Sequence, residues 1–198
     1  MISFGIDELI IQNPAWKSKR IGLVTNDAAT TNTGILSRTA LVQAGFTIVC
    51  LFTPEHGISA NAPDGEAQQN SMDTITGLPI ISLYGNKCMP TAQDLENIDL
   101  LLFDIPDIGA RFYTYLWTLT YVLEACALNK KKCIVLDRPN PVSGNFDAAE
   151  GPFLEESSSS FIGRWNIPIK HSATLGELAL YFNSTKNIGA SLTVVPVK

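Results

Sequence analysis

Short apolar runs that read as strands alternate with segments of helical spacing, and polar side chains gather where the strand patterns end. These observations predict an α/β protein: a Rossmann-like, doubly wound, mainly parallel sheet with helices on both faces. The strand runs are continuously apolar rather than alternating, as expected of strands buried on both sides.

Arg20 to Thr25 is rich in β-forming residues and ends at Asn26. Gly34 to Ala44 puts Ile35, Leu36, Ala40 and Leu41 at helical spacing and stops at Gly45, a residue suited to the position just past a helix. Phe46 to Phe52 is the next strand, closed by Thr53-Pro54. Residues 54 to 78 are rich in Gly, Pro, Asn, Asp and Gln, with little periodicity, and predict a long loop of the kind that is usually functional. Pro79 to Leu83 is a short strand, and Thr91-Ala92-Gln93-Asp94 has the capping pattern of a short helix. Leu100 to Phe103 is a buried strand, followed by a helix over Tyr115 to Leu128, and Cys133 to Leu136 is a further strand. Thr174 and Glu177 form a capping box that opens a helix through about Phe182, and Leu192 to Val197 is β-rich.

The totals bound the function. The 198 residues fit one large α/β domain over 1–198, and 45% hydrophobic with 17% charged residues gives it a sizeable core. A net charge of -5 and pI near 5.0 argue against a nucleic-acid partner, which calls for a basic face. Cys50, Cys88, Cys126 and Cys133 show no metal-ligand spacing and read mainly as reduced, buried thiols. No apolar stretch reaches the roughly 18 residues of a membrane span. The start, Met1 to Asp7, lacks the basic and apolar regions of a signal peptide. The compartment stays open, since a trimmed leader would leave the same start.

Ligands of open parallel sheets bind beyond the carboxyl ends of the strands. Here those ends carry Asn26, then Glu55-His56, then Tyr84, then Asp104 and Asp107, then Asp137-Arg138 with Asn140. Turn chemistry explains such residues at one or two strand ends, but five in succession point to a shared site. Each residue also has a structural reading. Asp104 suits a helix cap or a pair with Arg111, and Asp137-Arg138 a buried pair locking the proline-rich turn. Asn26 suits a turn, Glu177 its capping box, and Tyr113 and Tyr115 packing with a wet hydroxyl. Glu55, between Pro54 and His56-Gly57, has no such structural purpose.

There is no dinucleotide-binding glycine motif, phosphate loop or nucleophile elbow, so no cofactor is expected. With two histidines, His56 and His171, no metal set is specified either. Carboxylate chemistry among hydrogen-bonding side chains remains, and glycoside hydrolysis suits it: one carboxylic acid protonates the leaving oxygen while a second group assists the cationic centre.

Six motifs then occur in one order: Pro54-Glu55-His56-Gly57, Ser82 to Gly85, Phe103 to Tyr115, Val135 to Pro141, Glu150-Gly151-Pro152 and Thr174 to Ala179. From about Phe4 to Phe182 the chain resembles the NamZ/YbbC-type exo-β-N-acetylmuramidase family. The resemblance implies release of N-acetylmuramic acid from the non-reducing end of peptidoglycan fragments, by cutting the β-1,4 bond to N-acetylglucosamine during bacterial cell-wall turnover or recycling. It implies a Rossmann-like catalytic domain here, with a smaller C-terminal domain, absent from this chain, completing the cleft. It implies Glu55 as the catalytic acid and Asp104 as second catalytic carboxylate. Asn26, His56, Tyr84, Asp107, Arg111, Tyr113, Asp137, Arg138, Asn140 and His171 would bind or support the saccharide. An arginine or histidine would hold the lactyl carboxylate. The family pattern puts a glutamine where Pro106 stands and a glycine where Ser172 stands. A sugar-binding module without turnover is the competing expectation, and a metal-dependent hydrolase a weaker one.

Overall fold

The computed structural model describes residues 2–61, 63 and 69–198. Its strands are β1 (Ile21–Thr25), β2 (Ile48–Thr53), β3 (Ser71–Met72), β4 (Pro79–Ser82), β5 (Leu100–Asp104), β6 (Lys132–Leu136) and β7 (Ser191–Val195). Its α-helices are α1 (Gly5–Gln12), α2 (Ser37–Gln43), α3 (Tyr115–Leu128) and α4 (Leu175–Thr185). The strands form one sheet in the order β3-β4-β2-β1-β5-β6-β7, parallel throughout except for the antiparallel β3–β4 pair at one edge. The Rossmann-like, doubly wound expectation therefore holds.

Alternation along each buried strand divides the core in two. Val24, Leu101 and Phe103 face one side with Trp117, Leu119, Val122 and Leu123 of α3 and Phe182 of α4. Leu23, Leu100 and Leu102 face the other with Ile6 and Leu9 of α1 and Leu41 of α2. Connection direction reverses at β1: the chain runs outward to β2 and β4, then returns to place β5 on the other side of β1. That switch point leaves a crevice beyond the carboxyl ends of β1 and β5, where Thr25 lies opposite Asp104.

Four local expectations change. The helix expected from Gly34 begins only at Ser37, because Gly34 (φ 84) and the Thr31 hydroxyl, which accepts the Ile35 N–H at 3.1 Å, hold the preceding residues in a turn. At Thr91 the capping bonds do form, Asp94 Oδ2 accepting the Thr91 N–H at 2.7 Å, but too few residues precede β5 for a helix to propagate past its costly first turn. The long 54–78 loop contains the edge strand β3, turned into β4 by Asp73 and Gly77 (φ 70); its central part lies outside the described residues. Helix α1 was not anticipated. It docks so closely that Gly5 donates its N–H to the Asp137 carbonyl at 2.8 Å.

Candidate active site at the strand ends

Glu55 follows β2 in the turn Pro54-Glu55-His56-Gly57, where His56 and Gly57 both take φ 68. The turn folds the carboxylate back over the sheet, leaving Glu55 only 9% exposed. Its Oε2 accepts the Thr114 hydroxyl at 2.9 Å, and its backbone carbonyl receives the Tyr115 hydroxyl at 3.4 Å. Thr114 is the residue before α3, so this carboxylate is tied to the start of that helix. The Tyr113 and Tyr115 ring centroids lie 4.6 Å apart, with the rings tilted by 59°. Burial, then Tyr113, pushes the Tyr115 phenol far above its ordinary range, and burial also raises Tyr113. Both therefore remain hydrogen-bond donors at neutral pH. Thr114 was not singled out from sequence; its position between two tyrosines at a helix start was the available signal.

Asp104, at the end of β5, is fully buried and gripped by Arg138, with Nε to Oδ1 at 2.6 Å and an Nη2 bond to Oδ2 at 3.1 Å. The same guanidinium reaches the Thr30 carbonyl at 2.8 Å and Ser37 Oγ at 3.2 Å. This brace ties the β1–α2 loop to β5 and β6. The Asp104–Arg111 pair considered from sequence does not form. Arg111 instead donates to the carbonyls of Pro152 at 2.8 Å and Ile167 at 2.6 Å, strapping two later loops to the site.

Asp137 does not form a side-chain pair with Arg138 either. Its oxygens accept from Thr174 Oγ1 at 2.7 Å, Gly176 N–H at 2.8 Å and Arg138 N–H at 3.0 Å, anchoring the start of α4 to β6. Burial outweighs those bonds and raises its pKa above the ordinary aspartate value. Asn140 is likewise occupied, donating to the Ala173 carbonyl at 2.9 Å and accepting from Val142 N–H at 2.9 Å. Tyr84 rests against Phe161 with ring centroids 5.3 Å apart.

Asp107 and His171 meet in the crevice wall. Asp107 Oδ2 accepts the Gly109 N–H at 2.8 Å and lies 3.0 Å from His171 Nε2, in ion-pair range although outside hydrogen-bond alignment. His171 Nδ1 accepts the Ala173 N–H at 3.4 Å, which places the ring proton on Nε2, toward Asp107. Asp107 Oδ1 is buried without a hydrogen-bond partner among the described residues, while the buried Asn26 side chain bonds to the Tyr115 phenol. Ser172, at φ 51 with a buried hydroxyl that has no hydrogen-bond partner among the described residues, occupies backbone space that favours glycine. Behind His171 an apolar cavity of about 230 Å³ is framed by Phe146, Phe153, Pro168 and Tyr181.

Of the residues singled out from sequence, Asp104, Arg138, Asp137 and Asn140 thus bond to the protein itself, as does Nη1 of Arg111. Among the described residues no group of three or more histidines, cysteines and acidic side chains is arranged to hold a metal ion.

Comparison with known proteins places this geometry. The family profile described as "Exo-beta-N-acetylmuramidase NamZ, N-terminal" matches residues 21–198. The peptidoglycan β-N-acetylmuramidase NamZ of Bacillus subtilis is 44% identical over 200 residues, covering 100% of this chain and 48% of that protein. Two crystal structures of DUF1343 family proteins from Bacteroides fragilis superpose with TM-scores of 0.88 and 0.84, at 39% and 33% identity, covering 100% of this chain and 50% and 52% of theirs. The chain spans about half the length of the relatives it matches. With its fold, its ordered motifs and this similarity in agreement, the chain belongs to the family defined by the N-terminal part of the exo-β-N-acetylmuramidase NamZ.

Proposed function

We propose that this chain is the catalytic part of an exo-acting glycoside hydrolase that releases N-acetylmuramic acid from the non-reducing end of peptidoglycan fragments. The observation that carries the proposal is Glu55: a largely buried carboxylate beside the sheet's switch point, oriented by Thr114 and the Tyr113–Tyr115 pair. A carboxyl group so held suits protonation of a glycosidic oxygen, and its reach is set by α3 and β2 rather than by a free loop. The name of the Bacillus subtilis relative supports the substrate class.

Residues 1–198 would form the Rossmann-like catalytic domain, and the second half of the longer relatives would supply the facing wall of the cleft. Asp104, Arg138, Asp137 and Arg111 would act as supports that fix the strand-end loops. Incubating the protein with the disaccharide N-acetylmuramyl-β-1,4-N-acetylglucosamine and analysing the products by mass spectrometry tests the reading. Release of both monosaccharides is the expected result. Binding without cleavage by a protein carrying both halves would favour a sugar-binding module instead.

A further inference from the structure

The two oxygens of the Glu55 carboxylate are held unequally. Oε2 accepts the Thr114 hydroxyl at 2.9 Å in a buried contact, while Oε1 takes no hydrogen bond from the described residues. The backbone around the carboxylate is fixed as well: the Tyr115 phenol donates to the Glu55 carbonyl at 3.4 Å, and the turn that follows runs through His56 and Gly57, both at φ 68. Thr114 is itself anchored. It is 7% exposed, and its carbonyl accepts the Thr118 N–H at 3.0 Å and the Thr118 hydroxyl at 3.3 Å, which ties it to the first turn of α3.

We infer that Thr114 is a positioning residue that gives the two oxygens separate tasks: Oε2 stays anchored while Oε1 carries the proton to the glycosidic oxygen. The inference rests on the muramidase reading with Glu55 as the acid, and adds which oxygen acts and what holds it. An ionised carboxylate offers only acceptors, so the Thr114 hydroxyl is the donor of this pair, and a proton taken up by Glu55 goes to the oxygen left open. In the bond-breaking step that proton passes from Oε1 to the glycosidic oxygen, and the electron pair of the bond to the anomeric carbon leaves with that oxygen. Water adds its hydroxyl to the anomeric carbon, and its remaining proton, directly or through solvent, restores the acid. Glu55 becomes an anion as its proton departs, and a hydrogen bond to a charged acceptor is roughly twice as strong as one to a neutral acceptor. The Thr114 bond therefore strengthens toward the transition state, which puts its effect on kcat rather than on KM.

Steady-state hydrolysis of two substrates tests the assignment: the disaccharide N-acetylmuramyl-β-1,4-N-acetylglucosamine, whose leaving oxygen needs a proton, and the β-fluoride of N-acetylmuramic acid, whose fluoride departs as an anion. Thr114→Val keeps the shape of the side chain without the donor. Its kcat on the disaccharide should fall about 10- to 100-fold, the worth of a hydrogen bond to a charged group, with KM held and a much smaller loss on the fluoride. Thr114→Ser, which restores the donor, should recover most of the rate. If Thr114→Val does not fold, Thr114→Ala against Thr114→Ser supplies the same comparison. An undiminished kcat on the disaccharide, an equal loss on both substrates, or a serine variant as slow as the valine one overturns the inference alone. An unmodified protein that cleaves neither substrate overturns the muramidase reading and the inference with it.

Discussion

Replacing Arg138 by Met exposes what the buried brace contributes. Asp104 is 0% exposed and takes two bonds from the guanidinium, at 2.6 and 3.1 Å, while Thr30 and Ser37 take the others. Arg138→Met leaves that carboxylate buried without its cation, a loss of about 3–5 kcal/mol when one member of a buried pair is removed. Typical domains have about 5–15 kcal/mol in total, so the variant should stay folded but be much less stable. At about 2–4 °C per kcal/mol for a chain of this size, the melting temperature should fall by about 6–20 °C. Circular dichroism with thermal and urea unfolding measures this directly. The double variant Asp104→Leu/Arg138→Met removes both charges and should recover part of the loss. A cost below about 1 kcal/mol for Arg138→Met, the range of an exposed pair, would refute the reasoning.

Three further perturbations follow from particular residues. Ser172→Gly relieves a φ of 51 and removes a buried hydroxyl that has no hydrogen-bond partner among the described residues, so it should stabilise by about 1 kcal/mol or more after the entropic cost of glycine; a lower urea midpoint would contradict this. Gly5→Ala, ordinarily favourable in a helix, should here cost more than about 2 kcal/mol, because the added Cβ would fall 2.6 Å from the Val195 carbonyl oxygen and closer still to the Asp137 nitrogen; a neutral or stabilising result would show that α1 docks less tightly. Burial alone would raise Asp73, but bonds from Thr76 and Arg38 outweigh it and hold the group below the ordinary 3.8. Its contribution is therefore present above that value and lost as pH falls through the lower folded value, so Asp73→Asn should flatten the acid limb of a stability–pH curve; an unchanged limb would count against it.

Much of the scaffold is legible in the sequence because burial on both faces leaves a local mark. Leu100 to Phe103 and Cys133 to Leu136 are continuous apolar runs and lie at the heart of the sheet. Helix α1 is not, since its eight residues include glycine and its fit depends on contact with β6 and β7, far along the chain. The candidate site is legible as a set of residues but not as a set of partnerships. Asp104 finds Arg138 across 34 positions and Glu55 finds Thr114 across 59, distances that only the strand order closes. Spacing therefore suggested Asp104–Arg111 and Asp137–Arg138, neighbours along the chain that turn to other partners once the sheet assembles.

The proton-donor role of Glu55 is the central claim, and hydrolysis of a chromogenic β-N-acetylmuramide by the Glu55→Gln variant tests it most directly. The amide side chain can still accept from Thr114 but has no acidic proton, so turnover should fall by about 10²–10⁴-fold, the usual worth of a general acid, with sugar binding and melting temperature kept. A Glu55→Gln variant that turns over at the rate of the unmodified protein would contradict the account.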